Sequence, residues 1–263
     1  FKMTKKITIA IDAMGGENAP KKNIEGLNIF LKKIKSNDFF FHLYGDEQLI
    51  EKELNLLKIS KQYIKVIHSD GTVSDEKSPM TAVKNSKNTS MWNSVKAQLD
   101  NGADISLSAG NTGVLLVISR MILKMMKEVS KPALAGLWPS KKGMTVVLDL
   151  GANIECDEKN LIDFSEMGSA LYKSIFPEQK PYVSLLNIGS EEIKGTETLK
   201  KAYSKLKEMN NNNFLFNGYI EGNEIMNGDT NVIVTDGFTG NIALKTAEGT
   251  AKFITDSLKK TLK

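Results

Sequence analysis

The sequence predicts an α/β fold, a doubly wound and largely parallel sheet with helices on both faces. Two observations carry that prediction. Short apolar runs rich in Val, Ile and Phe alternate with longer segments of helical periodicity along nearly the whole chain. Strands alternating with helices imply βαβ units, and a sheet built from them is covered on both sides.

ITIAID (7–12) reads as the first strand. PKKNIEGLNIFLKKIK (20–35) follows as a helix, with Pro20 in the first turn, where a missing N–H is tolerated. FFFHLYG (39–45) and YIKVIHS (63–69) are strands flanking the helix EQLIEKELNLL (47–57). A polar stretch at 70–90 precedes a helix near 91–101 and the strand ADISLS (103–108). TVVLDLG (145–151) and YVSLLNIG (182–189) are the next strands, with a helix at 161–176 between them. NNNN at 210–213 is a polar turn, NVIVTDG (231–237) the last strand and TGNIALKTAEGTAKFITDSLKKTL (239–262) a long closing helix. No repeat or low-complexity linker interrupts this order, so 1–263 is read as a single α/β domain.

Composition narrows the function classes. The chain has 263 residues, enough to bury a core, with 41% hydrophobic and 25% charged residues, the balance of a globular domain. Its 35 Lys and Arg against 31 Asp and Glu give a net charge of +4, too even for a nucleic-acid partner. That charge is compatible with an anionic small substrate, an acidic protein or an anionic membrane surface. One cysteine, Cys156, excludes an intramolecular disulfide and points to a reducing, cytoplasmic setting. The opening FKMTKK lacks a signal peptide's apolar run, and Phe1 and Lys2, ahead of Met3, are left out of the fold reading. No uninterrupted apolar stretch is long enough to span a membrane.

In a sheet of this kind ligands bind at the carboxyl ends of the strands, and five loops there share one character. DAMGGENAP, SAGNTG, DLGANIECD, NIGSEEIKG and DGFTGN each join a strand to Gly and small polar residues. Glycine lets the backbone approach a ligand and turn successive N–H groups into one concavity. A helix N-terminus adds unpaired N–H donors and about half a positive charge. Five such loops favour a phosphate-containing substrate. Asp12, Asp149 and Asp236 each end a strand, and two readings of them stay open. They orient donors, or bind a hydroxyl or a metal; or they cap the turn or helix that follows.

Competing motifs are missing. There is no G-x-x-x-x-G-K-[ST], no G-x-G-x-x-G after the first strand and no G-x-S-x-G elbow. With His42 and His68 the only histidines and one Cys, neither a Ser-His-Asp triad nor a zinc site is expected. Cys156 has no histidine base beside it in sequence, and reads as a small residue before it reads as a nucleophile. The apolar helix at 114–126 reads as core or dimer interface. In the closing helix, Phe253, Ile254, Leu258 and Leu262 recur at helical spacing beside Lys252, Lys259, Lys260 and Lys263. That pattern fits an anionic bilayer surface, and equally a helix packed on the body with a solvated lysine face.

Taken together, IAIDAMGGENAP, LSAGNTGVLL, KPALAGLWP, VVLDLGANIECD, VSLLNIGSEEIKGTE and VIVTDGFTGNIALKTAEG resemble the phosphate acyltransferase (PlsX) family of bacterial phospholipid synthesis. The likeness runs in order from residue 7 to about 255. It implies an enzyme that moves a long-chain fatty acyl group from acyl carrier protein (ACP) to inorganic phosphate. The acyl phosphate so formed serves a glycerol-3-phosphate acyltransferase. It also implies a cytoplasmic homodimer, a Rossmann-like fold similar to the phosphotransacetylase and isocitrate dehydrogenase group, and reversible contact with the inner membrane face; no cofactor or metal is evident in the sequence.

For the site, the first choice for phosphate or oxyanion is the backbone of Gly110 to Gly113, with Ser108, Asn111 and Thr112. Lys194, in EEIKGTE, is expected to neutralise phosphate and Asn187 and Asn153 to orient it, while Asp236, Thr239, Gly240 and Asn241 complete the cradle with Gly189, Gly195 and Gly237; Lys194, Asn187, Asn111 and Asp236 are the catalytic candidates. Asp12, Gly15 and Gly16 belong to the first loop. In KSPMTAVKNSKNTSM (77–91), Lys84, Lys87 and Ser90 are candidates for phosphate or ACP; a solvated loop with Ser90 capping a helix is the other reading. The chain departs from the family at Glu17, where Asp is frequent, and at Lys194-Gly195-Thr196-Glu197, where K-G-N-E is common. The family also continues past the position of Lys263 with further helix and a Gly- and His-containing strand segment. A phosphotransacetylase acting on acyl-CoA and a non-catalytic scaffold that binds ACP or membrane remain alternative functions.

Overall fold

The structure is a computed structural model that describes residues 6–34, 38–73, 79–100, 102–209 and 212–262, with backbone alone at 79–80. Phe1 and Lys2, residue 35 of the first expected helix, 101 of the third, Lys77 and Ser78, Asn210 and Asn211, and Lys263 lie outside the described residues. The chain divides into two compact units, Phe1–Met125 and Met126–Lys263.

The first unit runs β1 (Ile7–Asp12), α1 (Lys21–Lys33), β2 (Phe39–Gly45), α2 (Glu47–Leu56), β3 (Ile64–His68), α3 (Pro79–Lys84), α4 (Ser90–Leu99), β4 (Ile105–Ser108) and α5 (Thr112–Leu123). Its four strands are all parallel, in the order β3-β2-β1-β4. The period of two in a strand decides which helix each residue meets. Ile11, Phe41 and Leu43 pack on Ile24 and Leu27 of α1 and on Ile50 and Leu54 of α2. Ala10 and Tyr44 turn the other way, onto Ala97 of α4. Val114, Ile118 and Ile122, one helical turn apart on α5, are buried against Met91 and Val95 of α4, so this face of the apolar 114–126 run is core.

The second unit runs β5 (Gly136–Ser140), β6 (Gly143–Leu148), α6 (Glu158–Ile175), β7 (Tyr182–Leu186), α7 (Glu197–Glu208), β8 (Leu215–Ile220), β9 (Val232–Val234) and α8 (Gly237–Thr261). The sheet order is β5-β6-β9-β7-β8, parallel except for β5, which pairs antiparallel with β6 at the edge. The same alternation splits its core. Val146, Leu148, Val183, Leu185, Val232 and Val234 face Phe164 of α6 and Leu206 of α7. Val147, Leu186 and Ile233 face the other way, toward Trp138, Ile225 and the Ala243 and Ala247 side of α8. Both sheets thus carry helices on both faces.

Capping residues account for most of the shifted boundaries. α6 begins at Glu158 rather than 161 because Asp157 and Asn160 form a reciprocal capping box. α4 is capped by Thr89, whose Oγ1 accepts from Trp92 N at 3.3 Å. Ser90, the expected cap, is instead its first residue and is buried. Four elements escape the sequence reading. α3 lies inside the polar stretch at 70–90. β5 contains Pro139, which only an edge strand tolerates. α7 buries only Ala202 and Leu206 of twelve residues, six of them charged, and β8 is interrupted by Gly218 at φ +75°.

Candidate active site

In the first unit the ends of β1 and β4 are in register, so Asp12 lies beside Ser108. Ser108 Oγ donates to Asp12 Oδ2 at 2.7 Å, Gly110 N–H donates back to Ser108 Oγ at 3.1 Å, and Met14 N–H donates to Asp12 Oδ1 at 3.3 Å. Asn23 Nδ2 donates to the carbonyls of Ala13 and Gly15, each at 2.9 Å, and ties the loop to α1. Asp12 is therefore a buried organiser of the two loops rather than a helix cap. Gly15 runs so close that a Cβ there would come within 2.5 Å of Asp12 Oδ2 and 2.9 Å of Gly110 N, and Gly16 passes beside Ala109 in the same crossing.

Asn111 is the cap of α5: its Oδ1 accepts from Val114 N–H at 3.1 Å. Its Oδ1 and the Gly110 N–H are thus engaged within the loop. The donors of SAGNTG with no acceptor inside the helix are the N–H groups of Thr112 and Gly113 in its first turn, where the helix dipole is positive. Lys84 and Lys87 are exposed, whereas Ser90 is inside α4's contact with its neighbours. A cavity of about 340 Å³ in this unit is lined by Asp12, Ser108, Lys22 and Asn23 with Leu27 and Phe30.

In the second unit Asp149, directly after β6, is fully buried. Its Oδ1 accepts from Leu134 N–H (3.0 Å), Gly151 N–H (3.2 Å) and Ala152 N–H (3.0 Å), its Oδ2 from the N–H and Nδ2 of Asn153, both at 2.8 Å. The carboxylate folds DLGAN around itself. The turn is then clamped to the start of α8, because Gly237 N–H donates to Asn153 O at 2.8 Å and Asn241 Nδ2 donates to Leu150 O at 3.4 Å. A Cβ on Gly240 would lie 1.9 Å from Asp149 O, so the helix can approach the turn only through glycine. Asn153 Nδ2 also donates to Pro132 O at 2.6 Å, which occupies the amide expected to orient phosphate.

Asp236 is the cap of α8, accepting from Thr239 N–H at 2.8 Å and from Thr239 Oγ1 at 2.9 Å. Of the three strand-end aspartates, one caps a helix and two organise loops.

The loop after β7 is built on Asn187. Its Nδ2 donates to the carbonyls of Gly189 (3.1 Å) and Lys194 (3.2 Å), closing NIGSEEIKG into a ring. Gly195, at φ +89°, completes the turn, and a Cβ there would sit 2.4 Å from Asn187 Oδ1. Asn187 is 8% exposed and its Oδ1 has no partner among the described residues. The Lys194 side chain is exposed.

Asn187, Gly195, Thr196, Asp236 and Thr239 form one polar end of a cavity of about 1040 Å³. The rest of it is mainly apolar, walled by Trp138, Leu186, Leu199, Ile225 and Met226 and by a face of α8 that carries Thr246 and Thr250 among alanines and isoleucines. This cavity escaped the sequence reading; the signal that marks it is Ala243, Ala247 and Ala251, small residues four apart on a helix otherwise read for its lysines. Cys156 lies nearby, its thiol donating to Asn153 O at 3.9 Å. Burial pushes that thiol above its ordinary range, Lys131 opposing and Asp149 adding to the effect.

The Fatty acid synthesis protein family matches residues 7–263 of the chain. A phosphate acyltransferase of Pelagibacter ubique is 56% identical over 260 residues, covering 99% of this chain and 77% of that protein. One of Caulobacter vibrioides is 42% identical over 260 residues, covering 99% and 71%. Among solved structures, the EutD phosphotransacetylase of Staphylococcus aureus superposes with a TM-score of 0.64 at 19% identity, covering 95% of this chain and 83% of that one. A phosphotransacetylase of Streptococcus pyogenes gives 0.66 at 16% identity, covering 94% and 82%. These structural likenesses establish the α/β fold; the sequence matches establish that the chain belongs to the Fatty acid synthesis protein family and, within it, to the phosphate acyltransferases.

Proposed function

We propose that the chain transfers a long-chain acyl group from its thioester on ACP to inorganic phosphate. The observation that carries this reading is the second unit's cavity, a polar rim at a helix N-terminus continuous with a large apolar space. Such a cavity suits a substrate with a charged reacting end and a hydrocarbon tail. A phosphate oxygen attacks the thioester carbonyl, the C–O bond forms, the C–S bond breaks, and the carrier thiolate leaves and takes up a proton. Phosphate is itself a competent nucleophile, so positioning, with up to about 7–11 kcal/mol to contribute, replaces covalent catalysis by the enzyme.

Each unit offers candidate contacts. Asn187, Lys194, Thr239 and Asn241 belong to the second, with Asp149, Asn153, Gly189, Gly195, Asp236, Gly237 and Gly240 holding their loops in shape. The Thr112 and Gly113 N–H groups are the first unit's anion donors, held by Asp12, Gly15, Gly16, Ser108, Gly110 and Asn111. Lys84 and Lys87, exposed and basic, suit the acidic carrier. The reading includes a cytoplasmic homodimer that supplies a glycerol-3-phosphate acyltransferase. It also includes reversible attachment to an anionic membrane, supported by exposed Phe253, Leu258 and Leu262 beside Lys252, Lys259 and Lys260 on α8. Among the described residues no helix is long and apolar enough to cross a membrane.

Incubation with palmitoyl-ACP, with and without phosphate, is expected to release free ACP and form acyl phosphate only when phosphate is present. Release that ignores phosphate would contradict the reading; reaction with palmitoyl-CoA but not palmitoyl-ACP would reassign the donor. Because burial raises its thiol above the ordinary range, Cys156→Ala is expected to turn over like the wild type, and a thiol-alkylating reagent to leave the wild type active. Loss of turnover on that substitution would restore a covalent mechanism.

A further inference from the structure

We propose that the acyl chain lies along α8, and that Ala243, Ala247 and Ala251 measure its length. The proposal rests on the acyl-donor reading above and deepens it. The lining residues of the cavity on α8 run from Thr239 to Ile254. At 1.5 Å per residue that is about 22 Å of helix, the length of a long-chain fatty acyl group. One end is polar and the remainder mainly apolar, Thr246 and Thr250 on α8 being its only hydroxyl-bearing residues beyond that end, so an occupant with a polar head and a hydrocarbon body fits in the same order.

A second observation fixes the polar end as a binding point. Asn187 lines the cavity, is 8% exposed, and leaves Oδ1 without a partner among the described residues, while its Nδ2 is spent on two loop carbonyls. A buried acceptor without a donor is costly, and the P–O–H of a hydrogen phosphate bound beside the thioester, which itself only accepts, removes that cost. The head therefore sits at Asn187 and the tail runs toward Ile254.

The floor of the groove on α8 explains its depth. Ala243, Ala247 and Ala251 follow one another at four-residue spacing, about 6 Å apart along the helix axis, with Trp138, Ile225 and Met226 opposite. A methyl at each turn leaves room that a larger side chain would fill. Each position is a potential end-stop at a different distance from Asn187.

The test is a series of three variants, Ala243→Phe, Ala247→Phe and Ala251→Phe, assayed on acyl-ACP donors from butyryl to stearoyl. The ratio of kcat/KM for palmitoyl-ACP to that for butyryl-ACP is expected to fall at least about tenfold in Ala243→Phe and Ala247→Phe. The longest donor accepted is expected to shorten in the order of position, most for Ala243→Phe and least for Ala251→Phe. Displacement of a fluorescent long-chain fatty acid by palmitate reads the groove without catalysis, and is expected to weaken in the same order. Ile254→Trp, at the exposed far end, is the substitute if a core-facing alanine variant fails to fold, and should reject only the longest donors. An unchanged length profile in folded variants that still turn over would overturn the groove. A wild type that binds palmitate with this ordered response but makes no acyl phosphate would leave the groove standing and remove the transferase reading instead.

Discussion

Asp149→Ala is expected to destabilise the Met126–Lys263 unit by about 3–5 kcal/mol, among the largest effects of any single substitution in the chain. The carboxylate is fully buried and receives five hydrogen bonds, four from backbone N–H groups and one from Asn153 Nδ2. Alanine supplies no acceptor, and each donor left dry costs about 1–3 kcal/mol unless the turn opens to water. Opening is obstructed, because the same turn is pinned to α8 through Gly237 N–H and by the close passage of Gly240. Asp149→Asn keeps the shape but points an NH2 group at donors, and is expected to cost less than the alanine variant. Thermal unfolding reads the effect as a fall on the order of 10 °C or more for Asp149→Ala. A shift within about 2 °C would mean that the turn holds its shape without its central acceptor.

Lys194→Ala is expected to act on turnover and hardly at all on stability. The backbone of Lys194 is held from elsewhere, by Asn187 Nδ2 on its carbonyl and by the turn at Gly195. Its side chain is exposed, so truncation should change stability by no more than about 0.5 kcal/mol. Losing a full positive charge beside a doubly charged nucleophile should lower kcat/KM for phosphate by about a hundredfold. Lys194→Arg keeps the charge and should recover part of the loss. Full activity in Lys194→Ala with normal unfolding would remove this residue from the site, and a matched loss of stability would make its role structural.

What the sequence disclosed follows from which physical signals are local. Runs such as ITIAID and FFFHLYG state their own burial, and the strands β1 and β2 lie where those runs lie. The loops after the strands are legible for the same reason, since Gly and small polar residues at a strand end have a short list of uses. Elements whose signal depends on partners were hidden. β8 is a strand because β7 pairs with it, although LFNGYI contains Asn217 and Gly218, and β5 keeps Pro139 because it lies at an edge. α7 was legible in principle: Thr196 caps it, and Leu199, Ala202 and Leu206 share one face of a charged helix.

The roles of the site residues divide similarly. That Asp12, Asp149 and Asp236 matter is visible from their place at strand ends, but which is a cap and which an organiser depends on what folds over them. Asp236 finds the N–H of Thr239 three residues on, a local event. Asp12 finds Ser108 across the sheet, ninety-six positions away, which no local pattern announces. Asn153 was expected at phosphate, yet its amide is already shared between Asp149 and Pro132. The large cavity left only one local trace, the Ala243, Ala247 and Ala251 stripe, because its walls come from β5, β7, α7, the turn after β8, and α8.

The fate of phosphate oxygen separates acyl transfer to phosphate from hydrolysis of the thioester. The protein should be incubated with palmitoyl-ACP and phosphate labelled with heavy oxygen, the product trapped, and the acyl phosphate weighed by mass spectrometry. Transfer to phosphate gives acyl phosphate that carries the label in its bridging and terminal oxygens, formed in step with free ACP. Free ACP accompanied by unlabelled fatty acid and no acyl phosphate would show that water, not phosphate, attacks the thioester, and would contradict that transfer.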